Sequence, residues 1–281
     1  MMDEALAQFR DVRRLLGEKQ PLAAQRELAV CGAMFALVLA EILFGEGHWL
    51  LAAHWYGVAR RSAEEAKDQY FADIALAASA LLPMYTPDPR AVVATVSPRL
   101  ESRHAPSPAI AWLWAFHAKA HAMLGDSNTF QNSIDHARQA LDRSSSELVG
   151  PGIFSFVPEK LAFYEARGWV ELNNAGAASA AADRALSLYD PNKENTEPAL
   201  ARFEQASAYA QAGELMEACR IATTTVLDPR TYHCVPVTTR AYEFDRLLDA
   251  SDCAPVRDWR EALRSLRKPQ LALTAGQGEV V

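Results

Sequence analysis

A glycine between two apolar stripes, within residues 199–229, constrains the fold more than any other feature of the sequence. Before Gly213 apolar residues recur every three or four positions, and the same spacing resumes at Leu215. Each stretch therefore predicts a helix with one apolar face. Glycine adopts the left-handed conformation that ends many helices, and Pro229 cannot continue the second helix. Because two antiparallel helices cannot bury both faces alone, this hairpin needs neighbours of the same kind.

The same hairpin pattern recurs along the chain. Gly47 and Gly125 separate similar pairs of stripes, and residues 127–129 are predicted to lengthen the second of these turns. In a further copy Asn173 takes the place of the glycine, and asparagine is the next-best residue for a left-handed backbone. Residues 70–100 keep only the helical periodicity, punctuated by prolines, and are interpreted as a degenerate copy.

The residues at fixed positions of these copies resemble the tetratricopeptide repeat (TPR) family. In the last copy they are Ala206, Tyr209, Gly213, Ala218, Ala222 and the closing Asp228-Pro229. The resemblance implies an all-α fold, a TPR-like right-handed helical solenoid of about five helix pairs with N- and C-terminal capping helices. Such a stack makes one elongated body, so residues 1–268 are expected to form a single domain, followed by a flexible tail at 269–281.

A second resemblance concerns function. The tryptophan-rich segments at residues 49–56 and 112–114, with the copy that ends at residues 184–191, are similar to the C-terminal repeat halves of bacterial XRE-type helix-turn-helix regulators. The resemblance covers most of residues 20–267 and implies a sensor or oligomerisation module of transcriptional control. The DNA-reading domain of those regulators has no counterpart before Glu4.

Composition limits the classes of partner. The chain has 281 residues and a net charge of −7, which argues against a direct nucleic-acid surface, because phosphate binding needs clustered positive charge. The acidic N-terminus lacks an export signal, and four cysteines without close pairing indicate a reducing compartment, so we expect a cytoplasmic protein. The apolar run 28–44 is interrupted by Glu41 and is interpreted as a repeat helix, with no membrane contact expected.

Catalytic motifs are absent from the sequence. It contains no G-x-S-x-G, no G-x-x-x-x-G-K-[ST], no H-E-x-x-H and no C-x-x-C, so we expect no enzyme activity and no cofactor. His117 and His121, four residues apart, could share a metal ion. No carboxylate follows at ligand spacing, so we interpret them as core or interface histidines and predict no metal site.

The predicted binding site is the concave wall made by the first helix of each pair. Lys119 and Arg167 occupy equivalent positions in neighbouring copies, each three residues after an aromatic residue. Cations beside aromatic rings suit an acidic or carboxylate-bearing partner. As surface residues they should tolerate replacement by glutamine without loss of stability. The predicted groove residues are Trp112, Phe116, Lys119, Phe163, Tyr164, Arg167 and Phe203, and the same wall includes Met34, Leu37, Glu41, Met123, Lys160, Leu200 and Ser207.

Two functions follow from this pattern. The first is a TPR-type regulatory binding protein, whose groove takes a protein, a peptide or a small carboxylate-bearing signal molecule. The second is a structural adaptor that joins two proteins and has no small-molecule ligand. Whether the protein has one closed pocket or a long open groove would discriminate between the two functions. A homodimer is compatible with both.

Overall fold

The described residues of the chain are helical. The computed structural model describes residues 2–85, 88–145, 154–190, 196–248, 252–264 and 266, and within these ranges it contains no β-strand, as the periodicity predicts. The expected tail at 269–281 lies outside the described residues. In chain order the helices are α1 (Met2–Leu16), α2 (Leu22–Gly45), α3 (Trp49–Ala66), α4 (Gln69–Ser79), α5 (Leu81–Tyr85), α6 (Pro89–Glu101), α7 (Pro108–Met123), α8 (Ser127–Asp142), α9 (Pro158–Glu171), α10 (Ala175–Leu188), α11 (Thr196–Gln211), α12 (Leu215–Leu227), α13 (Val235–Leu247) and α14 (Ala254–Arg264).

Left-handed residues make the turns between paired helices. Gly47, Gly125 and Gly213 have φ values of 85°, 79° and 85°, and Asn173 has a φ of 55°. These are the four positions at which the sequence predicts a turn. Each residue follows the first helix of a pair and lets the chain reverse into the second.

The turn after α7 is shorter than the sequence suggests. Residues 127–129 were expected to lengthen it, but they form the first turn of α8. The reason is the cap: the Asp126 carboxylate accepts a hydrogen bond of 3.0 Å from the Thr129 backbone N–H. This bond satisfies an amide that the start of a helix leaves without an intrahelical partner.

The degenerate copy at residues 70–100 contains three helices, α4, the short α5 and α6. Asp68 and Asp88 cap α4 and α6. An ion pair joins the two helices, because the Arg99 guanidinium donates to both carboxylate oxygens of the buried Asp73, at 2.6 and 2.8 Å. This bidentate contact ties together a region whose repeat residues are lost.

Six helices form a closed inner ring. Helix α2 contacts α4, and contacts then run through α7, α9 and α11 to α13, which returns to contact α2. Helices α3, α8, α10 and α12 pack outside this ring, each against the helix that precedes it, and α14 packs against α12. The sequence predicts an elongated body. The described helices instead curve until the last inner helix meets the first.

Two large hydrophobic clusters stabilise this arrangement. The first contains residues of α1 to α9 and includes the buried Tyr56 and Phe130, and the second joins α11 to α14 around Phe244 and Trp259. Helix α2 is long and apolar enough to cross a membrane by length and composition. In this fold it contacts α1, α3 and α13, and residues such as Leu37 and Leu39 are buried in the first cluster.

Candidate ligand-binding site

A cavity of about 300 Å³ lies inside the inner ring. Helices α2, α5, α7, α9, α11 and α13 all contribute to its wall, so residues almost 200 positions apart in the chain, such as Glu41 and Arg240, face one space. The volume is at the lower end of the range for small-molecule pockets, roughly 300–1,000 Å³. A ligand of that size is smaller than a folded helix or an extended peptide of several residues.

One side of the cavity is aromatic. The rings of Trp112 and Phe116 lie 5.9 Å apart in a stacked arrangement, and the edge of Tyr164 meets Phe116 at 5.2 Å. Phe163 packs against Tyr164 at 5.0 Å. These four residues line the cavity. They offer flat apolar surfaces against which the body of an aromatic ligand can pack.

A buried ion-pair network forms beside the aromatic side. The Arg167 guanidinium on α9 lies 3.3 Å from Glu204 on α11, 2.7 Å from Glu243 on α13 and 3.0 Å from Glu171 on its own helix. Arg240 on α13 also contacts Glu243, and its guanidinium stands over the Tyr85 ring at 5.7 Å. The network therefore ties together α9, α11 and α13, three of the six helices of the ring.

The carboxyl group of Glu204 is fully buried in this network. Burial raises the pKa of Glu204 to about 7, although the Arg167 guanidinium opposes the shift. Burial likewise disfavours the charge of Arg167, but the carboxylates of Glu204, Glu243 and Glu171 hold its pKa above the ordinary value. Arg167 therefore stays charged, and its carboxylate partners are what make that buried charge tolerable.

Lys119 differs from the other cations of the cavity. Lys119 is 4% exposed and lines the cavity. Among the described residues, none forms a hydrogen bond or an ion pair with its ammonium group. Burial, and then the nearby Arg167 guanidinium, lower the pKa of Lys119 to about 8. Buried amines without a partner are rare, because no hydrogen bond or ion pair compensates for the free energy lost when the amine leaves water. The Lys119 amine is thus available to a ligand.

The remaining charged groups of the wall have partners. Lys160 lies 2.8 Å from Glu197 and donates a hydrogen bond of 2.9 Å to the Ser155 carbonyl. Tyr56 donates a hydrogen bond of 2.7 Å to Glu41, and burial raises the pKa of Glu41 against the effect of that bond. The contrast with these paired groups makes Lys119 the group best placed to bind an anion.

Six of the seven predicted groove residues line one cavity: Trp112, Phe116, Lys119, Phe163, Tyr164 and Arg167. Phe203 does not. It lies in the second hydrophobic cluster, 6.2 Å from the Trp259 ring and 6.5 Å from the Phe244 ring. On α11 the residues that face the cavity or its ion pairs are Thr196, Glu197, Leu200 and Glu204, which follow one face of the helix. Phe203 lies to one side of that line, toward α13 and α14.

The structure also corrects the expectation that Lys119 and Arg167 are surface residues, since both are at least nine-tenths buried. Several lining residues have no place in the predicted groove, among them Tyr85 on α5 and Arg240 on α13. Helix α13 lies after the last predicted copy, which ends at Pro229. Only the closure of the ring brings Arg240 to the cavity, and helical periodicity carries no signal for that contact.

The histidine pair of α7 lies away from the cavity wall. The His117 and His121 rings are 4.5 Å apart. The Ser133 hydroxyl donates to the Thr129 carbonyl at 2.7 Å, so it accepts from His117 Nδ1, at 2.8 Å. Within the described ranges no three His, Cys, Asp or Glu side chains are arranged to hold a metal ion. His117 joins α7 to α8 through its hydrogen bond to Ser133, and His121 lies 3.3 Å from Asp126, the residue that caps α8.

This packing predicts a pH-dependent stability. Burial, and then the adjacent His121 ring, lower the pKa of His117 to about 4, whereas an unfolded chain has a histidine pKa of about 6.5. The unfolded state therefore binds the proton first, and stability is lost as the pH falls from about 6.5 toward 4. Because the ring is partly exposed, we expect a loss of roughly 2 kcal/mol from this group. Urea unfolding at several pH values measures it.

His117→Gln should flatten that pH dependence, and the exposed His54 supplies the matched control, His54→Gln. Equal slopes of unfolding free energy against pH for the His117 variant and the unmodified protein would contradict the assignment. Asp126, His121 and His136 also face this ring. We therefore expect the variant to remove only the part of the slope of unfolding free energy against pH that comes from protonation of His117.

The chain matches no protein-family model, no curated protein and no solved structure. The resemblances to tetratricopeptide repeats and to bacterial regulators therefore remain predictions from the residues that suggest them.

Proposed function

We propose that this protein is a non-enzymatic binding protein whose internal cavity holds a small ligand with an aromatic body and a carboxylate. The observation that carries the proposal is the pairing of a stacked aromatic wall with the buried, unpartnered amine of Lys119 in one cavity. The aromatic rings would contact the ligand's apolar face, and Lys119 would bind its carboxylate.

The closed ring favours this ligand class over an extended peptide. A peptide groove has to be open along its length, but α13 returns to α2 and Arg240 stands over Tyr85. A small molecule needs only a space of a few hundred cubic ångströms with a few polar groups at fixed positions. The cavity meets both conditions.

We further propose that the helix pairs are tetratricopeptide-like units and that the protein serves a regulatory role as a sensor. Left-handed residues at Gly47, Gly125, Asn173 and Gly213 support the first point, because each lies between two helices of the pairing expected for such units. For the second point, the support is that a ligand would contact α2, α7, α9, α11 and α13 together. Binding would then change the stability of the whole ring.

We expect the protein to bind an aromatic acid with higher affinity than the neutral analogue of that acid. We predict that 2-naphthoate binds the purified protein and that 2-naphthylmethanol, which lacks the carboxylate, binds more weakly, as measured by isothermal titration calorimetry. Lys119→Met should weaken naphthoate binding by roughly 10- to 100-fold, since a shielded charge-assisted hydrogen bond contributes about 1.5–3 kcal/mol. The affinity of the alcohol should change little.

The second cavity lysine provides the comparison. Lys160 is already paired with Glu197, so Lys160→Met should cost less naphthoate affinity than Lys119→Met. Equal binding of the acid and the alcohol, with no effect of Lys119→Met, would reject the anion-binding role of the cavity. Failure of both compounds to bind, together with capture of a protein partner through an outer surface, would favour the adaptor function.

A further inference from the structure

The Lys119 amine has the surroundings of a nucleophile as well as those of an anion-binding group. It lies in the cavity, is 4% exposed, and has no hydrogen-bond or ion-pair partner in the described part of the chain. The cavity's other lysine, Lys160, is held by Glu197 and by the Ser155 carbonyl. An amine that is already donating to a carboxylate has its charge stabilised and its lone pair occupied by a proton. Lys119 lacks that constraint.

Two features of the site favour the neutral, reactive form of Lys119. Burial removes water from the ammonium, and the Arg167 guanidinium on the neighbouring helix repels its charge. The Glu171, Glu243 and Glu204 carboxylates act in the opposite direction, but the net effect is a lowered pKa of Lys119. Desolvation in an apolar pocket and a nearby cation are the two means by which proteins activate lysine for attack on carbonyl compounds. Both act on Lys119, so a substantial fraction of the amine is unprotonated a little above neutral pH.

We propose that Lys119 forms a reversible imine with an aldehyde or ketone that enters the aromatic-walled cavity. This inference rests on the proposed function, in which Lys119 meets a ligand inside the cavity, and it adds a second ligand class, aromatic carbonyl compounds, which the neutral amine would bind covalently. Trp112 and Phe116 precede Lys119 on α7 by seven and three residues and line the same cavity. They can hold an aromatic body while its carbonyl carbon faces the amine.

The step balances without an oxidant or a reductant. The nitrogen lone pair of Lys119 attacks the carbonyl carbon, a C–N bond forms, and the π electrons of the C=O bond move to the oxygen, which is protonated to give a carbinolamine. The C–O bond then breaks, the oxygen leaves as water with both protons that the nitrogen has lost, and a C=N bond remains. The net change is amine plus carbonyl to imine plus water, so the reaction reverses when the carbonyl compound is removed.

Reductive trapping tests this chemistry directly. The intact protein is incubated with 2-naphthaldehyde and sodium cyanoborohydride, and the product is measured by intact mass and by peptide mapping. We expect one added naphthylmethyl group, located on Lys119. Labelling should accelerate between pH 7 and pH 9, because the unprotonated fraction of the amine increases over this range. The same label on Lys160 or on the exposed Lys67, in an amount equal to that on Lys119, would overturn the proposal.

Lys119→Arg separates the imine from the proposed carboxylate binding. An arginine keeps a positive charge at this position but does not form a stable imine, so this variant should lose at least 10-fold of the labelling rate, and its 2-naphthoate affinity should fall less than that of Lys119→Met. Lys119→Met should lose both. Circular dichroism of each variant shows whether the helices are retained.

The outcomes distinguish the two proposals. Naphthoate binding without a label on Lys119 would overturn the imine and leave the proposed function standing. A label on Lys119 without naphthoate binding would support the imine and overturn the carboxylate preference. Neither binding nor labelling would overturn both.

Discussion

Arg167→Gln is expected to lower the free energy of unfolding by about 3–5 kcal/mol, the usual cost of breaking a buried ion pair by removing one partner. Glutamine cannot replace the charge that faces Glu204, whose side chain is fully buried and 3.3 Å from the guanidinium. Glu243 and Glu171 lose a partner in the same substitution. Part of the loss will be recovered as Glu204 takes up a proton, since burial has already raised its pKa to about 7.

Urea unfolding followed by circular dichroism measures this effect, and two variants serve as controls. Lys119→Gln removes a cation from the same cavity but breaks no ion pair, so it should be neutral or stabilising. Arg184→Gln removes an ion pair of 2.8 Å with Glu165 in which the arginine side chain is 52% exposed. Pairs at such exposed positions contribute about 0–1 kcal/mol. An Arg167 variant as stable as these two would show that the network does not stabilise the ring.

A double replacement tests the cause of the loss. Arg167→Met combined with Glu204→Leu removes the central charges together, and such apolar replacements of buried pairs are often neutral or better. We expect the double variant to be more stable than Arg167→Gln. If it is less stable, the contribution of the arginine lies in packing and in its other carboxylates, and not in relief of the charge on Glu204.

Local features of the fold were predictable from the sequence because their causes are local. Glycine and asparagine at a turn indicate a backbone with positive φ, which few other residues adopt. The turn residues here are Gly47, Gly125, Asn173 and Gly213. Helical periodicity placed Lys119 and Arg167 at equivalent positions, and both line the cavity. What the periodicity could not give was their burial, which depends on helices far along the chain.

The errors at the site have the same origin. Phe203 and Glu204 are neighbours on α11, and the repeat pattern assigned the aromatic residue to the groove. In the structure Phe203 packs toward Trp259, and Glu204 faces Arg167. The two residues differ by one position around the helix, so one faces the cavity network and the other faces the second hydrophobic cluster. The packing of α13 and α14 determines which residue takes which face. The contact between Arg240 and Tyr85 depends on closure of the helix ring, and no repeat pattern in the sequence predicts it.

Gly168→Ala is expected to destabilise the protein by about 2 kcal/mol or more, despite the better helix propensity of alanine. Gly168 lies on α9, beside Arg167, where the Phe130 ring of α8 packs against the helix. A Cβ atom at this position would overlap with Phe130 Cε2 and stand 2.7 Å from Cζ. Overpacking of this kind costs about 1–3 kcal/mol and sometimes more, whereas the gain in propensity is about 1 kcal/mol. Steric overlap should therefore dominate.

The Phe130 ring has little freedom to move away, because it is fully buried and its edge meets the Trp169 ring at 4.9 Å. Gly176→Ala on α10 is the matched control, since a Cβ atom there meets nothing within 4 Å, and this variant should be stabilised by up to about 1 kcal/mol. Phe130→Leu in the Gly168→Ala background should restore part of the stability, and the double-mutant cycle isolates the clash. Equal unfolding free energies for the two alanine variants would show that α8 and α9 are further apart than this packing requires, which would also move Arg167 and the cavity wall beside it.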